Sequence, residues 1–333
     1  MDTRKVQRTG KSTFIVSLPK SWATKNGIKA GSIIYITQND SGALMLSPDR
    51  TERDLRVRLD IGDKSGDLLV RDVIGCYVAG YRAMDIISNH MSSGQKKDVR
   101  GIINKLIGPE ILEESLNRIV IQDLLSSEEL QAERALKRIR TVVKSMIQDA
   151  ISSLVENNKE LAADVVQRDN DVDRLNLLIS RQFTEILRSG SVKQETLNSI
   201  AAFNYMQAAS NLERIADHAC RMADIASRGS CTLPEDVRKK ITEFSATFGT
   251  LIDDSISYLL QMNSEKANEL IALAKDLQKE IQGMGHAQEG ERQEEMLLRF
   301  IVASSIERMI DYMVNIGELI INLRHACPEM EGS

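Results

Sequence analysis

Acidic side chains recur in this chain at a spacing suited to holding a cation. Glu213-Arg214-x-x-Asp217 is matched 94 positions later by Glu307-Arg308-x-x-Asp311, and Asp224 is matched by Glu318. The stretch Ala208–Ala226 aligns without gaps on Val302–Ile320. In a helix turning by about 100° per residue, Glu213, Asp217 and Asp224 project at roughly 0°, 40° and 20°, which is one narrow line. Leu212, Ile215, Ala219, Met222 and Ala226 cluster on the other side, so the line should lie outside the core of its own bundle. Carboxylates on a helix are ordinarily solvated or paired with arginine. Like charges one turn apart repel by about a few tenths of a kcal/mol per pair, and accepting this twice at matched positions suggests a cation partner. On the residues alone, both readings stand.

Other chemistries find less support. His218 stands beside Asp217, but its repeat counterpart is Tyr312 and no second histidine accompanies it, so a solvated or capping role is expected. His90 is isolated and reads as a surface residue. Di-iron carboxylate bundles need Glu-x-x-His in the core, and none occurs in the segments that carry the acidic lines. No Ser/His/Asp constellation is readable, so the chain is expected not to be an enzyme. Thr9-Gly10-Lys11-Ser12 imitates the tail of a phosphate-binding loop. The place of its first glycine holds Lys5, however, and Thr13-Phe14-Ile15-Val16 follows as a strand rather than a helix.

The elements that position these residues divide the 333-residue chain. Beyond Pro109 only Pro234 and Pro328 occur, and two long proline-free stretches invite helices. Leu136, Ile139, Val143, Met146, Ala150 and Leu154 form one apolar stripe, and further helices are expected near 160–188, 194–227, 235–262, 264–284 and 290–326. The duplication makes these two tandem three-helix bundles. Upstream, Leu55–Ile61 alternates as a strand, Gly66–Ser88 has helical periodicity through Tyr81 and Met84, Val99–Leu106 suits a short helix, and Arg118–Leu125 reads as a strand. No apolar run approaches the roughly 18–20 residues of a membrane span. No apolar leader is visible at the N-terminus, and four scattered cysteines form no CxxC pair, so a cytoplasmic location is expected.

From about residue 128 to 327 the chain resembles the PhoU family, whose members contain two three-helix repeats marked by E/D-x-x-x-D motifs that bind metal ions. The resemblance implies metal ligation by Glu213, Asp217, Glu307 and Asp311. Asp169-x-x-x-Asp173, in the preceding helix, fits the same motif. Asp276-x-x-x-Glu280 has the spacing in the second bundle. Its flanking apolar residues, Ala267, Leu270 and Ile271 against Ala162, Val165 and Val166, disagree with that alignment by two residues. Oxygen ligands suit Mg, Mn, Fe or Zn without choosing among them. The resemblance also implies negative regulation of phosphate uptake.

The net charge of −5 hides a segregation. Residues 1–50 carry eight bases and three acids, which leaves −10 for the rest. The order read in this head is strand (Arg4–Arg8), turn, strand (Thr13–Leu18), short helix after Pro19, strand (Ser32–Thr37), hairpin at Asn39-Asp40-Ser41-Gly42, and strand (Ala43–Ser47). Arg4-Lys5-Val6, Ile15-Val16-Ser17-Leu18-Pro19-Lys20 and Gly27-Ile28-Lys29-Ala30-Gly31-Ser32-Ile33-Ile34-Tyr35-Ile36 resemble the AbrB/MazE/SpoVT DNA-binding family. That resemblance implies a swapped-hairpin barrel built from two chains, with DNA contacts from Arg4, Arg8, Lys11 and Lys20. Fewer than about 50 residues bury too little surface to stand alone, in agreement with pairing. Trp22 is expected as a core or interface anchor rather than a base-stacking residue.

The expectation is therefore a mixed fold. An AbrB-like DNA-binding domain occupies 1–50, an α/β connector 51–127, and PhoU-like three-helix bundles 128–231 and 232–327. The combination resembles archaeal phosphate uptake regulators. It implies a homodimeric regulator that binds double-stranded DNA through its head and senses or relays phosphate status through a metal-binding body. A phosphate transporter or signalling protein is a possible partner. The alternative is an adaptor whose head only dimerises while the body regulates the transporter.

Overall fold

The computed structural model describes residues 3–38, 42–48, 55–125, 132–189, 199–228, 233–286 and 288–327. The chain divides into two compact units, the first holding residues 1–53 and the second 54–188 with 197–333.

The first unit is built from two hairpins and a short helix. β1 (Gln7–Thr9) pairs antiparallel with β2 (Thr13–Ile15) across a turn at Gly10, whose φ of +66° suits glycine. The six-residue helix α1 (Lys20–Lys25) follows Pro19, as proline at a helix start permits. β3 (Tyr35–Gln38) pairs antiparallel with β4 (Leu44–Ser47). The hairpin residues Asn39, Asp40 and Ser41 lie outside the described residues. No described residue of this unit with a burial class is buried. Phe14 is 71% and Leu44 65% exposed, and Ile33 and Ile36 are similarly open.

In the second unit, β5 (Arg56–Asp60), α2 (Asp67–Val78), β6 (Ala83–Ile87), α3 (Ser93–Ile103), β7 (Pro109–Glu114) and β8 (Arg118–Asp123) form an α/β layer. Its sheet has the order β5-β6-β8-β7, with β5 and β6 parallel and the other pairs antiparallel. Leu69, Val73 and Tyr77 of α2 and Val99, Ile102 and Ile103 of α3 bury against Met84, Ile86, Ile119 and Ile121 of the sheet. The helix expected to run through Ser88 stops after Val78. Gly80 adopts a φ of +81°, and Ala83-Met84-Asp85-Ile86-Ile87 goes on as strand β6 between two neighbours. A continuous apolar run is ambiguous between helix and central strand, and the glycine decides it here.

Six helices follow: α4 (Ala132–Glu156), α5 (Lys159–Ser189), α6 (Ser199–Arg228), α7 (Glu235–Gln261), α8 (Ser264–Ile281) and α9 (Gln293–Ala326). They repeat as α4–α6 and α7–α9. The first turn of each repeat is built alike. Asn157 and Met262, 105 positions apart, are the two described non-glycine residues with positive φ. The next residue in each case, Asn158 or Asn263, accepts a hydrogen bond from the backbone N–H three residues on, capping α5 or α8. The repeats do not keep separate cores. One apolar cluster runs through all six helices, from Leu136 and Val143 through Ala208 and Leu212 to Phe248, Leu270 and Met309. Lys144 and Arg140 of α4 reach Asp253 of α7 across the junction. Gly317 lets α9 approach α8, since a Cβ there would stand 2.5 Å from Ile271. No helix among the described residues is long and apolar enough to cross a membrane.

The α/β layer is pinned to the bundle by one buried side chain. Arg181 of α5, 3% exposed, lies 2.7 Å from Asp123 and 3.1 Å from Glu185. It donates to the carbonyls of Tyr77 and Tyr81 at 3.1 and 3.0 Å, and its guanidinium stacks 4.9 Å from the Tyr77 ring centroid. The Tyr77 hydroxyl donates to the carbonyl of Ile107, which itself packs on the bundle core. Removing one member of a buried ion pair strands the others, at a cost of about 3–5 kcal/mol. Arg181→Ala is expected to lower unfolding stability by that order, measured as a drop in the urea midpoint at unchanged m. Arg100→Ala, which removes an exposed pair with Glu114, should leave the urea midpoint almost unchanged.

Candidate functional site

The acidic residues of the first repeat meet at the seam between α5 and α6. Two contacts bracket that seam. At one end Cys220 Sγ lies 3.8 Å from the Val165 carbonyl, and at the other Ser210 Oγ lies 3.4 Å from Asn176 Oδ1. Between them α5 contributes Asp169 and Asp173, and α6 contributes Glu213 and Asp217. Asp169 and Glu213 are half-buried, while Asp173 and Asp217 are exposed. The line is thus neither in the core nor on a freely solvated face.

Burial and mutual repulsion raise all four pKa values. Burial, followed by the charges of Asp217, Asp173 and Asp169, pushes Glu213 up to about 7. Burial, then Asp169 and Asp217, push Asp173 up to about 6, against the pull of Lys105 from the α/β layer. Asp217 is raised by burial and by Asp169, opposed by Arg221 and Arg214. Burial raises Asp169, whose Oδ1 is buried without a hydrogen-bond partner. The Cys220 thiol beside it is pushed well up by burial and by Asp169. Among the described residues, no cation stands within ion-pair distance of any of the four. No group of three or more His, Cys, Asp and Glu among the described residues stands close enough together to hold a metal ion in this arrangement. An all-oxygen donor set with a bare buried oxygen and repulsion only partly offset by Lys105, Arg214 and Arg221 suits a hard cation better than a soft one.

The second repeat places its acids differently. Glu307 is exposed on α9. Asp311 is ion-paired with Arg308 at 3.5 Å and accepts a hydrogen bond from Gln278 Nε2 at 3.3 Å. Asp276 points outward, 64% exposed, and pairs with Lys279 at 2.8 Å. Asp224 likewise leaves the first repeat's line to pair with Arg228, and Glu318 is exposed.

His218 is not the solvated or capping residue expected from sequence. It is 9% exposed and packs against Tyr312, its own repeat counterpart, with ring centroids 6.0 Å apart. The two equivalent residues meet where α6 crosses α9. Arg214 lies over the Tyr312 ring at 5.6 Å. Burial, with Arg221 and Arg308 nearby, lowers the His218 pKa to about 4, so the ring is neutral at pH 7. His90 is exposed, as expected.

In the first unit Arg4, Arg8, Lys11 and Lys20 are all exposed. Arg8 on β1 donates to the Lys11 carbonyl and so joins the two ends of the β1–β2 turn. Trp22 is half-buried on α1.

Sequence reasoning passes over Arg181 and Arg299. Arg299, 1% exposed in its side chain, donates to Asp236 at 2.7 and 3.0 Å and to Glu291, and so ties α7, the α8–α9 loop and α9 together. Arginine inside an otherwise apolar helical stripe is the one signal that could have found it.

Comparison with known proteins matches two segments. The PhoU domain family matches residues 136–226, and the family described as antidote-toxin recognition MazE, bacterial antitoxin, matches residues 7–54. A phosphate-specific transport system accessory protein PhoU homolog from Clostridium acetobutylicum is 25% identical over 144 residues, 43% of this chain. The chain spans 64% of the length of that relative. The crystal structure of PhoU from Pseudomonas aeruginosa superimposes with a TM-score of 0.52 at 17% identity, covering 59% of this chain and 96% of that one. That of the phosphate transport system regulatory protein PhoU from Streptococcus pneumoniae gives 0.47 at 18% identity, covering 59% and 94%.

The four raised carboxylates make metal-free stability depend on pH. An acid with a raised folded pKa binds more protons folded than unfolded between the two values, so stability falls as pH rises across that window. With Asp173 near 6 and Glu213 near 7, the loss should run from about pH 4.5 to 7. Thermal unfolding of metal-free protein should show the melting temperature falling by a few degrees more in the wild type than in Glu213→Gln/Asp173→Asn.

Proposed function

We propose that this PhoU-family protein, which carries an AbrB-like domain at its N-terminus, is a DNA-binding regulator of phosphate uptake. The observation that carries the reading is the head. It presents Arg4, Arg8, Lys11 and Lys20 to solvent while burying almost nothing of its own. Exposed Phe14, Ile33, Ile36 and Leu44 are the apolar faces that a second copy would cover. Dimerisation would set two basic β1–β2 turns on one particle, and lysine and arginine neutralise DNA phosphates with release of counterions. The body is acidic and repels DNA, which leaves contact to the head.

Asp169, Asp173, Glu213 and Asp217 would hold a divalent or trivalent cation, Mg, Mn, Fe or Zn by the oxygen character of the donors. When bound, the ion supplies positive charge that relieves the repulsion raising these four groups. The chain's own part is to hold the carboxylates at one seam, with Lys105 of the α/β layer close enough to act on Asp173. The relatives named for phosphate transport make a phosphate transporter or its signalling protein the natural partner of the body.

A mobility-shift titration tests the DNA reading. The full-length protein should retard duplex DNA from its own promoter or a phosphate-transporter promoter, with affinity falling steeply in salt. Arg8→Ala/Lys11→Ala should weaken binding and shallow the log–log salt slope by roughly 0.9 for each phosphate no longer neutralised. Absence of binding to either promoter would leave a dimeric adaptor that acts through its body alone.

A further inference from the structure

The matched acidic lines of α6 and α9 suggest two equivalent cation sites, but the helices facing them have diverged. Three facts align α5 with α8 at an offset of 105. The helices begin at Lys159 and Ser264, the preceding left-handed residues are Asn157 and Met262, and the buried residues Ala162, Val165 and Val172 fall on buried Ala267, Leu270 and Leu277. At that offset Asp169 falls on Ala274 and Asp173 on Gln278. Ala274 is fully buried, so no carboxylate approaches α9 from there. Gln278 gives its amide to Asp311 at 3.3 Å, and Arg308 faces the other oxygen at 3.5 Å. Asp276 and Glu280 keep the spacing of the motif but stand on the solvent side of α8.

We propose that the chain holds its cation in the first repeat alone, because the second has exchanged the α5-type carboxylates for Ala274 and Gln278. This rests on the cation reading above and limits it to one locus. Gln278 and Arg308 offer Asp311 neutral and cationic donors in place of a metal. A bound ion would have to displace both, and the motif of α9 offers it the two carboxylates Glu307 and Asp311. Two monodentate carboxylates leave most of an octahedral shell to water, which is weak binding for Mg²⁺ or Mn²⁺. In the first repeat Asp169 and Asp173 of α5 stand across the seam from Glu213 and Asp217 of α6, and among the described residues no cation stands within ion-pair distance of any of the four, so a bound ion would displace no such partner.

Equilibrium dialysis of the full chain against Mn²⁺, read by elemental analysis, tests this, with circular dichroism confirming that each variant is folded. Glu213→Gln/Asp217→Asn should reduce bound Mn²⁺ to background, and Glu307→Gln/Asp311→Asn should leave it at the wild-type value. Gln278→Asp, which restores one carboxylate opposite Asp311, should raise bound Mn²⁺ above the wild type. Loss of a comparable share of metal in Glu307→Gln/Asp311→Asn overturns the proposal, and so does Gln278→Asp with no gain. A wild type that binds no Mn²⁺, Mg²⁺, Fe²⁺ or Zn²⁺ overturns the cation reading itself, and that result differs from the other two.

Discussion

The second unit depends on the burial of one guanidinium. Arg181 reaches from the bundle into the α/β layer and is surrounded there by Asp123, Glu185, two backbone carbonyls and the face of Tyr77. Removing a charge from water costs several kcal/mol, so the position is tolerable only because two carboxylates, two carbonyls and an aromatic face surround it. The surrounding backbone is shaped to the same end. At Gly108 the φ is +104°, and a Cβ would stand 2.4 Å from Asp123 Oδ1. A side chain there would push away the carboxylate that Arg181 needs. The cluster fixes where the α3–β7 turn lies, and that turn carries Lys105. Arg181 and Asp173 share α5, separated by about two helical turns. The clamp on the α/β layer and the acidic seam are therefore built on one rigid element. Any change in charge at the seam acts on a helix that the layer is locked to.

Duplication explains much of the architecture, and divergence explains its asymmetry. Because α6 and α9 cross with His218 against Tyr312, equivalent positions face each other and the two repeats pack through their most similar helices. That arrangement requires the apolar stripe of each third helix to serve two neighbours at once, and a single core results. The facing helices α5 and α8 escape that constraint. α5 runs to Ser189, whereas α8 stops at Ile281 after 18 residues. In place of further turns of α8 comes a loop held by Arg299 between Asp236 and Glu291. With α8 free to drift, its inward positions could become Ala274 and Gln278 while the acidic line of α9 persisted. In that line Asp311 is met by Gln278 and Arg308 instead of by acids on the facing helix.

Helix placement, the repeat and the order of the head's elements are readable because each rests on local periodicity. The stripe from Leu136 to Leu154 is the buried face of α4, and the β-branched run after Thr13 forms β2. What escapes the sequence depends on partners distant along the chain. Strand β6 merges with the preceding helix because both are apolar, and Gly80 together with its place between β5 and β8 distinguishes it. β7, with Glu110, Glu113 and Glu114, lacks the alternation that marks a strand. The angle of the acidic line on α6 is legible, but its environment is not. Whether Glu213 is solvated depends on α5, whose own acids lie some 40 residues earlier. His218 reads as solvated or capping because nothing local announces that α9 covers it. Arg181 gives no signal at all, since a lone arginine in an amphipathic helix looks like any other.

The head poses the reverse problem, with local structure and no interior. Its hairpins are short, and an isolated two-stranded hairpin is marginal in water. The strands expose Phe14, Ile15, Ile36 and Leu44 together with Arg8, and the β1–β2 turn exposes Lys11. At about 25 cal/mol per Å² of apolar surface, the order of these residues is worth little until something covers them. If a second copy covers them, as proposed above, folding of the head would be coupled to association and its stability would rise with protomer concentration. The segregation of charge acts on the same step. In the proposed dimer, five net positive charges on each head would repel those of a second copy, and a polyanion laid along both would remove that repulsion. A ligand that binds only the associated, folded head stabilises it by mass action, so duplex DNA and dimerisation should favour each other.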